Sequence, residues 1–194
     1  MKRHLLSPRP SLEDSTGRKQ AGGFHSLTGA LRCARLALLT ALSLVLFAAE
    51  AAFPPPMPFP GAKLGLANVV TVMALFRLSA RETALMLFAR ILLSALFSGN
   101  AGALLFSLSG GTACLAGCLL LRKTFPFCPF WLVSAAGGVL HNMGQLVAAA
   151  AAVQTAGLLA YLPFLTVAGA LCGTLTGVLA QLLIRRLARA VPFF

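Results

Sequence analysis

Residues 35–61 read RLALLTALSLVLFAAEAAFPPPMPFPG, and their reading decides the fold. From Arg35 to Phe53 the chain is almost wholly apolar over the length a helix needs to cross a bilayer, about 20 residues rising 1.5 Å each. The prolines from Pro54 to Pro60 then end the helix, because proline donates no backbone hydrogen bond and biases its predecessor away from helical dihedrals. Outward from this pattern, five more apolar stretches follow, at about 64–78, 79–97, 103–121, 129–155 and 158–187, separated by polar or Pro/Gly breaks. Composition agrees: the 194 residues are 58% hydrophobic and 10% charged, against about 45–50% and about 25% in soluble domains. The expectation is an all-α, polytopic membrane protein of about six transmembrane helices.

Charge sets the orientation. The chain carries 16 Lys+Arg against 4 Asp+Glu, a formal charge of +12. All the basic residues except Lys63 and Arg90 fall in four places: the N-terminal tail, Arg77 and Arg81, Arg122 and Lys123, and Arg185, Arg186 and Arg189. With six spans these places share one side, and the positive-inside rule makes that side the cytoplasm, with both termini inside. Because the charge is split among short loops, it forms no groove-sized basic face, and nucleic acid is not expected as a partner. Residues 1–30 read as a disordered, basic cytoplasmic tail, and 31–190 as the transmembrane domain. A secretory signal around Ala49-Glu50-Ala51 is disfavoured by the long polar region before it. The five cysteines suggest packing residues, with no disulfide and no metal site.

Ionisable and amide side chains inside hydrocarbon are costly and mark candidate sites. Glu50 falls in the outer half of the first helix, and Lys63 follows on the outer loop; the two could pair or contact a ligand. Arg90 lies roughly 13 Å into the third helix, near mid-membrane. In the fifth stretch, Gly137-Gly138-Val139-Leu140-His141-Asn142-Met143-Gly144-Gln145 puts His141, Asn142 and Gln145 on one face. That face reads either as a cavity wall or as an interhelical hydrogen-bond cluster. Gly169, Gly173 and Gly177 form a small-residue stripe for helix packing, and Ala37 with Ala41 forms a shorter one that could also dock a partner.

The runs Glu50 to Pro54, Pro58-Phe59-Pro60-Gly61-Ala62-Lys63-Leu64-Gly65-Leu66-Ala67-Asn68, His141-Asn142-Met143-Gly144-Gln145 and Tyr161-Leu162-Pro163 carry a resemblance. Over about residues 33–190 the chain resembles the bacterial membrane family labelled heptaprenyl diphosphate synthase component I, or Gx transporter. The resemblance implies the six-helix fold of the substrate-binding S components of energy-coupling factor (ECF) vitamin transporters. It also implies a pocket opening outward beneath the first loop, and an Ala-x-x-x-Ala stripe, matched by Ala37 and Ala41, against a coupling subunit.

Two functions follow as expectations. In the first, the protein is a substrate-binding or transport subunit of the bacterial cytoplasmic membrane, driven by ATPases elsewhere, since the chain has no phosphate-binding GxxxxGK[ST] loop. Its pocket would be walled by Glu50, Lys63, Asn68, Arg90, His141, Asn142 and Gln145, with Pro58, Pro60 and Gly61 in a lid loop. Lys63 and Arg90 would attract an anionic group on a vitamin-, flavin- or isoprenoid-type ligand. In the second, it is a non-catalytic accessory subunit of a soluble polyprenyl synthase. Prenyl diphosphate synthases hold Mg²⁺ and diphosphate on aspartate clusters, whereas Asp14 is this chain's single aspartate, so catalysis would belong to the partner. A third possibility is a membrane scaffold in which the polar cluster is only structural. No cofactor is expected.

Overall fold

The computed structural model describes residues 14–52, 65–99 and 101–190, with side chains described at 29–52, 65–99 and 102–186. Six α-helices follow one another: α1 (Asp14–Ala52), α2 (Leu66–Arg77), α3 (Ala80–Ser98), α4 (Ala101–Thr124), α5 (Phe130–Val153) and α6 (Leu162–Ala190). No strand occurs among the described residues. The chain divides into two compact units, 1–36 and 37–194. The first holds the N-terminal part of α1; the architecture below is that of the second.

Three helical stretches, Gly29–Ala52, Gly102–Thr124 and Ala156–Arg186, are long and apolar enough to cross a membrane. This is a membrane protein. Large apolar side chains such as Leu96, Phe97, Leu105 and Leu171 stand exposed along its helices, a pattern suited to lipid and not to water. The other helices fall short of that standard for visible reasons. α2 has 12 residues, α3 carries Arg81, Glu82 and Arg90, and the polar run from His141 to Gln145 dilutes α5.

Helix α1 begins at Asp14. One expected boundary is corrected. The last apolar stretch does not form one helix from residue 158: a 3-10 helix, Ala156–Tyr161, precedes α6. Pro163 stands in the first turn of α6, where its missing N–H needs no helical partner.

Helices α4, α5 and α6 pack most extensively, α5 lying between the other two. The reason is local. A Cβ added at Gly169 would lie 2.7 Å from the Gly138 carbonyl oxygen, and one at Gly177 would lie 2.7 Å from Trp131 Cα. Helix backbones approach so closely only where side chains are missing. On the other side of α5, Ser109 on α4 donates to the Gly144 carbonyl at 2.7 Å.

The short helix α2 is held at both ends by charges from other helices. About 18 Å long, it falls well short of a hydrocarbon core of about 30 Å, so its unpaired end groups need partners within the protein. At the C-terminal end, Arg122 of α4 donates from Nη1 to the Leu75 carbonyl. Its guanidinium also lies 4.6 Å from the centre of the Phe76 ring, which stacks on Phe130. Arg122→Ala should therefore destabilise the protein by about 2–5 kcal/mol, the worth of one charged hydrogen bond and a cation–π contact. Lys123→Ala, at an exposed neighbour, should change little. Thermal unfolding of the two variants in the same detergent checks this; equal midpoints would refute the clamp.

Candidate functional site

All six helices contribute to one cavity of about 420 Å³, within the range of small-molecule sites. Its polar end is built around the start of α2. Gly65 adopts a left-handed conformation, φ 78°, and this turns the first N–H groups of the helix toward α1. There the carboxylate of Glu50 accepts from Gly65 N at 2.6 Å and from Leu66 N at 3.0 Å. One turn into α2, Asn68 Oδ1 accepts from Arg90 Nη1 at 3.1 Å. Arg90 is 7% exposed; a guanidinium so buried is held by partners of this kind or by a ligand. Ser43 of α1, fully buried, fixes the same turn by donating to the Ala67 carbonyl at 3.2 Å.

Opposite α2, His141, Asn142 and Gln145 of α5 all line the cavity. Gly110 of α4 makes room for two of them: a Cβ there would lie 2.6 Å from Gln145 Cγ and 3.1 Å from His141 Cε1, while one on Gly111 would lie 2.8 Å from Ile91 Cδ1 of α3. Asn142 also serves packing, since its Nδ2 donates to the Leu165 carbonyl of α6 at 2.9 Å. The far end of the cavity is apolar, lined by Leu75, Leu87, Ile91 and Leu115, which belong to one buried cluster.

Of the seven wall residues expected from sequence, six meet here: Glu50, Asn68, Arg90, His141, Asn142 and Gln145. Lys63 and the lid residues Pro58, Pro60 and Gly61 lie outside the described residues. Glu50 is engaged by backbone N–H groups, so its described partner is α2 itself. Ala37 and Ala41 sit exposed on α1, away from the cavity lining.

Sequence reasoning missed several lining groups. Thr71, whose buried Oγ1 finds no hydrogen-bond partner among the described residues, follows Asn68 by three positions and shares its face; that spacing could have revealed it. Ser134 lines the cavity too and is 4% exposed. Cys114 and Cys118, read above as packing residues, both line it; a Cβ on Gly137 would lie 3.1 and 2.6 Å from their sulfurs. Among the described residues no group of three or more His, Cys, Asp or Glu is placed to hold a metal ion.

With the cavity and its polar end established, similarity to known proteins adds the family. A family profile described as heptaprenyl diphosphate synthase component I matches residues 39–183. The chain belongs to this family. The match covers α1 from Leu39 through most of α6 and so spans every helix that lines the cavity. The family is, by its description, one component of an enzyme that makes a prenyl diphosphate. No curated protein and no solved structure matches significantly.

Proposed function

We propose that this protein is a non-catalytic membrane subunit that assists a separate heptaprenyl diphosphate synthase and binds a small ligand in its cavity. The family match over 39–183 carries the first half of this reading. The single aspartate, Asp14, supports assigning the chemistry to a partner. The buried Arg90, bonded to Asn68 in a cavity that also has an apolar end, supports the second half. In this reading the protein sits in the bacterial cytoplasmic membrane with six spans, the second of which crosses only part of the hydrocarbon as the short helix α2, and both termini in the cytoplasm, the basic loops facing the soluble partner. Residues 1–30 form a tail on a transmembrane domain of 31–190.

Co-expression of the tagged protein with a soluble polyprenyl synthase tests this reading. The synthase should co-purify with it from membranes, and the chain length of the product should change when the membrane subunit is present. A synthase that stays soluble and makes the same products with and without the membrane subunit would sink the proposal.

The cavity itself favours a second reading, an uptake subunit resembling ECF S components, because a polar-ended pocket enclosed by six helices also suits a transported ligand. Here Ala37 and Ala41, exposed on α1, would face a coupling subunit that works with ATPases. Co-purification of that subunit, lost in Ala37→Leu with Ala41→Leu, separates the two readings.

A further inference from the structure

We infer that the turn between α4 and α5 is an anchor in the headgroup layer of the bilayer, and that the partner it takes is an anionic lipid. The turn is Phe125-Pro126-Phe127-Cys128. Helix α4 ends at Thr124, Phe125 N still donates to the Leu121 carbonyl at 2.7 Å, and Cys128 N donates back to the Phe125 carbonyl at 3.1 Å. Pro126 occupies the second position of that turn, where its fixed φ is already the one required. The turn is therefore rigid, and at its tip Phe127 is 99% exposed, with Phe125 exposed beside it. Trp131, the single tryptophan of the chain, is the second residue of α5 and is exposed as well.

Position says what meets these rings. Gly102–Thr124 is long and apolar enough to cross a membrane, and its 23 residues rise about 34 Å. An average tilt of about 20° leaves about 32 Å, close to the hydrocarbon core of about 30 Å. The last turn of α4, with Arg122 and Lys123, thus stands at the edge of the hydrocarbon. Beyond that edge the headgroup layer extends about 5–7 Å. Phe127 follows Thr124 by three residues, and the bond from Cys128 to Phe125 folds the chain back, so the tip stays within that layer. Aromatic rings at this depth form the interfacial belts of membrane proteins. A soluble protein would have to displace lipid to cover them.

Charge selects the lipid. Lys123 is exposed next to the turn, and its ammonium is a compact point charge that meets a phosphate without a fixed geometry. Arg122 adds to the positive field while it holds the Leu75 carbonyl. Basic residues at the edge of a membrane attract lipids of net negative charge over zwitterionic ones. The turn also joins Arg122 to Phe130, and these two residues grip the C-terminal end of α2. Fixing the tip in the bilayer steadies that grip, and with it Leu75 in the cavity wall.

Tryptophan fluorescence of the full chain in nanodiscs tests both parts. Phe127→Trp in a Trp131→Phe background leaves one tryptophan, at the tip. In phosphatidylcholine brominated near the top of its acyl chains, its emission should fall by about half or more. Unquenched emission at the wavelength of a water-exposed indole would show that the tip stands clear of the bilayer as a face for a protein partner, and would overturn the inference. In the unaltered protein, Trp131 reports the lipid beside the turn. Brominated phosphatidylglycerol should quench it as though enriched about fivefold over its share of the lipid, the weight of one basic residue, and Lys123→Gln should bring that enrichment toward one. Equal quenching by brominated phosphatidylglycerol and phosphatidylcholine would overturn the choice of an anionic lipid. Should the Phe127→Trp variant fail to fold, the lipid preference of Trp131 decides. Neither result depends on what occupies the cavity.

Discussion

Gly138→Val should abolish the folded transmembrane bundle. A Cβ at this position would run into the Gly169 carbonyl oxygen and come within 3.1 Å of Gly173 Cα. Both obstacles are backbone, so no rotamer change relieves the clash. Helices α5 and α6 must part, and they are among the most extensively packed pair in the protein. Overpacking against side chains alone costs about 1–3 kcal/mol. Separating two helix backbones also removes contacts at Gly169, Gly173 and Gly177 together and strains the Asn142 bond to Leu165. The total should take up most of a stability that is only about 5–15 kcal/mol.

Two controls calibrate that result. At Gly117 an added Cβ meets only the Leu140 side chain, which can move, so Gly117→Ala should cost far less. At Gly29 nothing lies within 4 Å, and Gly29→Ala should be neutral or stabilising by up to about 1 kcal/mol through helix propensity. Size-exclusion profiles and unfolding midpoints in detergent would establish the order. A Gly138→Val protein that elutes and melts like the Gly117→Ala protein would show that the helices are not in contact there.

Helix existence was largely legible in the sequence because apolar length and Pro/Gly punctuation are local signals. The starts of α2 at Gly65 and of α3 after Ser79 follow from local chemistry: a glycine that accepts φ 78°, and a capping box in which Ser79 and Glu82 bond reciprocally. The gathering of Asn68, Arg90, His141 and Gln145 was legible as well, since polar residues in apolar helices turn inward. What the sequence hid was the choice of partner. Nothing local says that Glu50 would cap α2, that Asn142 would reach Leu165, or that Arg122 would reach Leu75, because each bond joins residues at least 15 positions apart. Cys114 and Cys118 escaped for a related reason: a thiol in an apolar helix reads the same whether it meets a neighbour or a cavity.

Glu50→Ala should be the most damaging single change at the site itself. The Glu50 carboxylate satisfies two of the N–H groups that the start of α2 cannot pair within its own helix. Hydrogen bonds to a charged group contribute about 1.5–3 kcal/mol each. Losing both should cost about 3–6 kcal/mol, because the stranded donors lack bulk water. Glu50→Gln tests the account more sharply. The amide keeps one acceptor oxygen but places an NH₂ where the second was, so one backbone N–H then faces a donor. Its cost should fall between that of Glu50→Ala and zero. The damage should concentrate in α2: hydrogen exchange of amides 66–69 should accelerate in both variants, while α5 and α6 keep their protection. Unchanged exchange at the start of α2 in Glu50→Ala would mean that Glu50 does not act as the cap of this helix.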